Sequence, residues 1–158
     1  MSPRPGAPAR ALGTSYDEAE RSPGLLLWQV TNRWQAAVRA ALAPYGVTHV
    51  QFVLLASLTW LGDEGPVTQK RLADHAATDP MMTSQVVRAL ERRGLVERRA
   101  HPMDGRAKAL AVTPEGAELA NAAVRVVEDC DRQFFGTLGS GESAFARALA
   151  ALAGHTRR

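Results

Sequence analysis

The apolar residues in the first part of the chain follow the period of an amphipathic α-helix. They recur at about every fourth position through residues 30–42, and Pro44 ends the pattern. A second helix is predicted from Thr48 to Leu61. Thr48 and Gln51 have the spacing of a capping box, in which each residue's side chain accepts from the other's backbone N–H group.

Two further helices with clear boundary signals are predicted next. Thr68 can cap a short helix that contains Leu72. Asp79 and Pro80 then form a start signal, because the Asp side chain accepts from free N–H groups and proline has no N–H group to satisfy. That helix ends at Gly94, since glycine readily adopts the left-handed conformation of a C-cap. Two helices joined by a short turn form a helix-turn-helix pattern.

A β-hairpin is predicted directly after the helix-turn-helix. Residues 95–99 and 107–112 alternate like strands, and the segment between them contains Pro102 and the turn pair Asp104-Gly105. A helix-turn-helix followed by a basic hairpin is the pattern of a winged helix, with the hairpin as the wing.

The last part of the chain is predicted to be helical. Thr113 and Pro114 start a long helix, and a final helix begins near Glu142. Residues 1–22 are rich in Pro, Gly, Ala and Ser and have no apolar period, which predicts a disordered tail. The long helix has an apolar stripe made of Leu119, Ala123, Val126, Cys130 and Phe134.

Composition limits the class of protein. The chain has 158 residues, of which 46% are hydrophobic, and this length suits one domain with appendages. A single cysteine, Cys130, excludes an intrachain disulfide. No apolar run approaches the length of a membrane span, and the arginines near the N-terminus are not followed by the apolar region of a secretory signal. We therefore expect a cytoplasmic protein that does not associate with membranes.

Positive charge is concentrated in one quarter of the chain. The net charge of the sequence is +3, yet residues 70–108 contain nine Lys or Arg residues against five Asp or Glu residues. Seventeen of the 19 basic residues are arginine, whose guanidinium forms bidentate contacts with phosphate and guanine. Both a nucleic-acid surface and an ordinary solvated face fit this charge distribution.

Three motifs in the correct order resemble one known family. The segments 94–99 (GLVERR), 104–106 (DGR) and 110–116 (LAVTPEG) are similar to the GLVxR, DxR and LTxxG signature of the MarR family of transcriptional regulators, with Val112 where leucine is usual. The resemblance covers residues 24–153. Met81, Met82, Thr83 and Gln85 depart from the residue types common in the family's DNA-reading helix.

The resemblance implies a mostly α fold, with a winged helix-turn-helix and a helical dimerisation region built from the N- and C-terminal helices. It divides the chain into a tail (1–22), a dimerisation helix (23–46), the DNA-binding region (47–112) and the C-terminal dimerisation helices (113–158). The partners are double-stranded DNA and a second copy of the chain. A two-fold dimer reads a pseudo-palindrome, with half-sites about 10 bp apart.

The second helix of the helix-turn-helix is the candidate DNA-reading element. Met81, Ser84, Gln85 and Arg88 share one of its faces, opposite the face of Thr83 and Leu90. Gln can pair with adenine, Ser with several base edges, and Met with a thymine methyl group, while Arg88 suits a phosphate. The alternative is an ordinary solvent-facing surface.

The wing and the preceding helix supply further candidates. Arg106 at the wing tip suits a narrow minor groove, and Asp104 is expected to orient Arg106 or Arg98. At the start of the short helix, Thr68, Gln69 and Lys70 could hold a phosphate, although simple helix capping explains these residues equally well.

The resemblance also implies a small aromatic or anionic ligand that releases a repressor from its operator. Such a ligand acts only through a difference in affinity between two protein states. An aromatic residue at helical spacing is more often part of the core than of a pocket. The candidate wall residues are Trp28, Trp34, His49, Phe52, Trp60 and His75.

Three alternatives remain at this point. Cys130 could make the chain a redox-responsive regulator, but the acidic residues beside it disfavour a thiolate. The winged helix could serve protein contacts alone. An enzyme has no support, because the sequence contains no nucleophile elbow, phosphate-binding loop or dinucleotide fingerprint. No cofactor is expected, and the four histidines show no metal-binding spacing.

Overall fold

The computed structural model describes residues 12–155. It contains six α-helices and one antiparallel hairpin, together with three short 3₁₀ segments (Ala19–Arg21, Ala43–Tyr45 and Gly136–Gly141). In chain order the elements are α1 (Pro23–Leu42), α2 (His49–Gly62), α3 (Gln69–Ala76), α4 (Pro80–Arg92), β1 (Val96–Ala100), β2 (Lys108–Val112), α5 (Pro114–Phe135) and α6 (Glu142–Leu152). This order confirms the predicted winged helix-turn-helix.

The chain divides into two units, residues 1–34 and 35–158. In the first unit, residues 1–11 of the predicted tail lie outside the described residues, and Ala19–Arg21 form a single 3₁₀ turn. The N-terminal part of α1 exposes several apolar side chains, including Leu27 and Trp28.

Helix caps set the boundaries in the second unit as the sequence predicted. Thr48 and Gln51 form the capping box of α2. The Thr68 hydroxyl accepts the N–H of Arg71 at the start of α3, with an N···O distance of 3.2 Å. The strands, however, start one residue later than predicted. The N–H of Leu95 donates to the carbonyl of Leu90 and closes the C-terminus of α4, so this group is not available to the sheet.

The core of the second unit is built around α2. Leu54, Leu55 and Leu58 are almost completely buried, and they pack with side chains from α3, α4 and the hairpin. Each fully buried leucine contributes roughly 1.5–3 kcal/mol relative to an exposed one. The N–H of Leu110 in β2 donates to the carbonyl of Val67, with an N···O distance of 2.8 Å, and ties the hairpin to the loop before α3.

The end of α4 and the start of α5 are in direct backbone contact. Gly94 has a φ of +70°, and its carbonyl accepts the Thr113 hydroxyl with an O···O distance of 2.6 Å. The backbone N–H of Thr113 donates to the carbonyl of Leu95. A Cβ atom on Gly116 would lie 2.0 Å from that carbonyl oxygen, so this approach requires glycine.

The predicted apolar stripe of α5 is rotated from the face that is buried. The buried residues are Gly116, Ala120, Ala123 and Val127, and of the predicted stripe only Ala123 belongs to them. Small residues let α5 approach α2 closely, so the larger side chains are displaced to the flank of the contact. Leu119, Val126, Cys130 and Phe134 are consequently only partly buried in the single chain.

Within residues 12–155, no single helix is long and apolar enough to cross a membrane. Only the bent pair Pro23–Tyr45 and His49–Gly62, taken together, meets that length and composition criterion.

Candidate nucleic-acid interface

Helix α4 has a buried face and an exposed face, as its sequence predicted. The Asp79 carboxylate accepts the backbone N–H of Met82 at 2.8 Å and caps the helix. Val87 and Leu90 are buried against the core, whereas Met81 is 72% exposed. Gln85 is also exposed. The structure therefore leaves the predicted DNA-reading face of α4 accessible.

A buried hydroxyl fixes the turn that precedes this face. Thr83 is completely buried, and its hydroxyl donates to the carbonyl of Asp79 at 2.8 Å. The same oxygen accepts from the hydroxyl of Thr78 at 2.7 Å, because the one hydroxyl proton of Thr83 is already donated to Asp79. These bonds hold the first turn of α4 to the turn that joins it to α3.

Two of the predicted contact residues on α4 bind each other. A terminal nitrogen of Arg88 donates to the Ser84 hydroxyl at 2.8 Å, and its Nε donates to the Ser84 carbonyl at 3.2 Å. Because the guanidinium lies over Ser84, the two side chains present one combined surface. Ser84 can meet a base edge only together with Arg88 or after Arg88 moves.

The three candidates at the start of α3 are each engaged within the chain. Thr68 caps the helix, and Lys70 pairs with Asp74 at 2.5 Å. The Oε1 atom of Gln69 accepts from Arg98 in β1 at 3.1 Å. Capping thus accounts for Thr68, while Lys70 and Gln69 must reorganise or act through their remaining donors to contact a phosphate.

The wing tip is shaped by Asp104. Its carboxylate accepts the backbone N–H of Arg106 at 2.9 Å, which orders the turn. Of the two arginines that Asp104 is expected to orient, Asp104 contacts Arg106, whereas Arg98 pairs with Glu91 at 2.9 Å. Asp104 thus orients Arg106 through its backbone and leaves the guanidinium free to extend.

Most arginines around this surface have a partner inside the chain. Arg71, Arg98 and Arg99 pair with acidic side chains. Arg93 donates to the Gly46 carbonyl at 2.9 Å. Arg92 and Arg106 are both exposed, and neither guanidinium has a hydrogen-bond or ion-pair partner among residues 12–155. Of these two arginines, only Arg106 lies in the wing.

Two clefts of the second unit can be compared with the six candidate ligand residues. A cleft of about 420 Å³ lies between the end of α2 and the hairpin, and one of about 250 Å³ lies between α2 and α5. Only Trp60 lines either of these two clefts. Phe52 is a buried core residue, and Trp28 is 69% exposed. His75 is exposed, and Trp34 and His49 are half-buried.

Two titratable groups on α2 and α5 have shifted pKa values. Burial and the nearby Arg39 cation lower the pKa of His49 below its ordinary value of 6.5, and Asp131 partly opposes them. Burial and the Asp131 carboxylate raise the pKa of the Cys130 thiol, which disfavours the reactive thiolate. Residues 12–155 contain no cluster of three or more His, Cys, Asp or Glu side chains able to hold a metal ion.

The bridge from Arg98 to both Glu91 and Gln69 has no counterpart among the contacts predicted from the sequence. The three residues lie on different elements, and their spacing has no helical or strand period. Glu91 is one of five acidic residues in the positive segment, so its presence there does not predict the bridge.

Known proteins are similar to this chain in sequence and in fold. The model of the MarR family matches residues 47–108, which extend from just before α2 to the start of β2. The HTH-type transcriptional regulator YdcH of Bacillus subtilis (strain 168) is 46% identical over 123 residues, covering 77% of this chain and 84% of that protein.

Solved structures agree with this relationship. CouR from Rhodococcus jostii RHA1, bound to p-coumaroyl-CoA, aligns with a TM-score of 0.78 and 28% identity, covering 90% of this chain and 99% of that one. The repressor CouR bound to a 23-mer DNA duplex aligns with a TM-score of 0.77 and 26% identity, covering 87% and 96% of the two chains. This chain therefore belongs to the MarR family of HTH-type transcriptional regulators.

Proposed function

We propose that this chain is a homodimeric repressor that binds a pseudo-palindromic operator, with α4 in the major groove and the wing in the adjacent minor groove. The observation that carries the proposal is the unpaired, exposed guanidinium of Arg106 on an ordered wing tip. A narrow minor groove has a strong negative potential that attracts such a group. The DNA-bound structure of the related repressor CouR supports the same class of partner.

In this proposal, side chains of α4 contact the base edges in the major groove. Gln85 pairs with an adenine edge, and Met81 contacts a thymine methyl group. Ser84 and Arg88 act together, because Arg88 lies on Ser84 and brings its positive charge to the same place. Thr68, Gln69 and Lys70 approach the phosphates beside the groove, and Asp104 supports Arg106 from within the wing.

The dimer part of the proposal rests on apolar surface that the single chain leaves uncovered. In the second unit, Leu119, Val126 and Phe134 are half-buried and Leu152 is 80% exposed. In the first unit, Leu27 and Trp28 are exposed. Exposed apolar side chains of this kind mark protein contacts, and two-fold pairing is the commonest arrangement. The segments 23–46 and 113–158 are thus assigned to dimerisation.

The proposal includes release from DNA by a small aromatic or anionic ligand. The related CouR was solved with p-coumaroyl-CoA, which has both an aromatic ring and anionic phosphates. In the second unit, the cleft of about 250 Å³ beside Trp60 offers an aromatic wall for such a group. The proposal includes no catalytic step, and it assigns the protein to the cytoplasm, where its DNA partner lies.

The test begins with duplexes that the wild-type protein enriches from a random-sequence pool. Their affinity is measured by fluorescence anisotropy, with excess unrelated competitor DNA and at two salt concentrations. We compare wild type, Arg106→Ala and the control Arg125→Ala, which removes one positive charge from an exposed position on α5. Sedimentation velocity establishes that each variant is a dimer.

We expect Arg106→Ala to bind the enriched duplex about tenfold more weakly, equivalent to about 1.4 kcal/mol. Arg125→Ala should bind like wild type. Affinity should fall steeply with salt, because phosphate contacts release counterions. Equal affinities for all three proteins would show that the wing does not contribute to DNA binding. Failure to enrich any sequence would overturn the repressor proposal and favour a winged helix used for protein contacts.

A further inference from the structure

One side chain joins three elements of the winged helix. From β1, the Nε atom of Arg98 donates to Oε1 of Glu91 near the end of α4, at 2.9 Å. A terminal nitrogen of the same guanidinium donates to Oε1 of Gln69 in the first turn of α3, at 3.1 Å. The base of the wing is therefore bonded to both helices of the helix-turn-helix.

This ion pair is partly shielded from solvent. The side chains of Arg98 and Glu91 are 34% and 25% exposed. The neighbouring pair of Arg99 and Glu97 is 65% and 44% exposed. Solvent screens exposed charges strongly, so a partly shielded pair restrains its elements more than a surface pair does. The second hydrogen bond of the same guanidinium, to Gln69, adds to this restraint.

We propose that Arg98 and Glu91 are positioning residues that set the angle of the wing against α4, and that Arg98 orients Gln69 toward a phosphate. This inference rests on the proposed DNA-binding function. The Gln69 oxygen is used by Arg98, so its amide NH₂ group is left to donate. The charge of Arg98 is offset by Glu91, whereas the charge of Arg106 is not.

The geometry of the wing explains why its angle matters. A strand advances about 3.3 Å per residue, so the five residues from Arg98 to the tip near Met103 span at most about 16 Å. A tilt of about 10° at the base would then displace the tip by up to about 3 Å, more than a hydrogen bond tolerates. The major-groove and minor-groove contacts can form together only if the base of the wing is held.

The proposal makes a prediction opposite in sign to simple electrostatics. Glu91→Gln removes an acid from a DNA-binding region, and charge alone predicts tighter binding. Loss of the positioning pair predicts about tenfold weaker binding to the enriched duplex, with binding to an unrelated duplex unchanged or tighter. The matched control is Glu97→Gln, which also removes an acid but breaks only the exposed pair with Arg99. It should bind at least as tightly as wild type.

Arg98→Lys provides a second variant that keeps the positive charge. A lysine ammonium lacks the planar fork that bonds Glu91 and Gln69 together, so positioning predicts a similar decrease in affinity. Thermal unfolding confirms that each variant is folded. In the double variant, the two decreases should not add, because both substitutions break the same bridge. If the decreases in affinity of the two single variants added in the double variant, the proposal that Arg98 and Glu91 act as one unit would be wrong.

The salt dependence separates positioning from direct binding of DNA. If Arg98 itself bound a phosphate, Arg98→Ala would lower the slope of log affinity against log salt by about 0.9, whereas removal of a positioning residue leaves the slope unchanged. Operator binding by Glu91→Gln that equals or exceeds wild type would overturn this inference and leave the repressor proposal intact. Failure of the wild-type protein to enrich any duplex would overturn both.

Discussion

Gly116→Ala tests the contact between the end of α4 and the start of α5. The new Cβ would lie 2.0 Å from the Leu95 carbonyl oxygen, so the two backbones must separate by at least 1 Å to reach 3.0 Å. Overpacking of this kind costs about 1–3 kcal/mol. The movement also weakens the two hydrogen bonds that Thr113 donates, at a cost of about 1 kcal/mol each. Alanine is more favourable than glycine in a helix by about 1 kcal/mol, which offsets part of this cost. We expect a net destabilisation of about 3 kcal/mol.

The assay is thermal unfolding followed by circular dichroism at one fixed protomer concentration, because dimer stability depends on concentration. For a chain of this size, the expected destabilisation lowers Tm by about 6–12 °C. The control is Gly62→Ala in α2, where a Cβ atom would meet nothing within 4 Å. That variant should melt at or slightly above wild type. A Tm for Gly116→Ala within about 2 °C of wild type would refute the close approach.

Three further outcomes are expected. Gln85→Ala should lose about 1–3 kcal/mol of preference for one base in each half-site, measured by anisotropy on the four base variants, and an unchanged preference would assign readout to another residue. Because the pKa of folded His49 lies below 6.5, the unfolded chain binds more protons as pH falls below that value, so urea unfolding should show stability decreasing from pH about 7.5 to 5.5. The decrease should be smaller in His49→Gln, and equal decreases would contradict this linkage. Because its thiol pKa is raised, Cys130 should react with iodoacetamide more slowly than free cysteine at pH about 7.5. Faster alkylation than free cysteine would contradict this expectation and support a redox role for Cys130.

The element order could be predicted from the sequence because its signals are local. The caps at Thr48, Thr68, Asp79 and Thr113 all form as predicted, since each involves residues only a few positions apart. The hairpin is likewise predicted by a local signal, its turn residues Pro102 and Asp104-Gly105. Its one-residue shift arose because the Leu95 N–H group has two possible partners, the helix end and the sheet, and only the tertiary structure decides between them.

The hydrogen-bond and ion-pair partners of side chains on different elements are less predictable from the sequence. The sequence left Asp104 with either Arg106 or Arg98 as a partner, and it gave no indication that Arg98 pairs with Glu91 or that Arg88 bonds to Ser84. An arginine side chain reaches several acceptors, and the choice depends on the angles between helices and strands. The rotated stripe of α5 has a similar cause, because the size of side chains at the contact with α2 decided which face was buried.

The wing is closed at its base by bonds that do not involve its tip. Thr113 bonds to the carbonyls of both Gly94 and Leu95, and the two strands are paired from Val96 and Val112 to Ala100 and Lys108. Doubling the length of a flexible loop costs only about 0.6 kcal/mol, so residues 101–107 can gain or lose length with little strain on α4 or α5. In the proposed DNA complex, changes in residues 101–107 would therefore alter the minor-groove contact while α4 keeps its place in the major groove, so the two halves of operator preference could change independently.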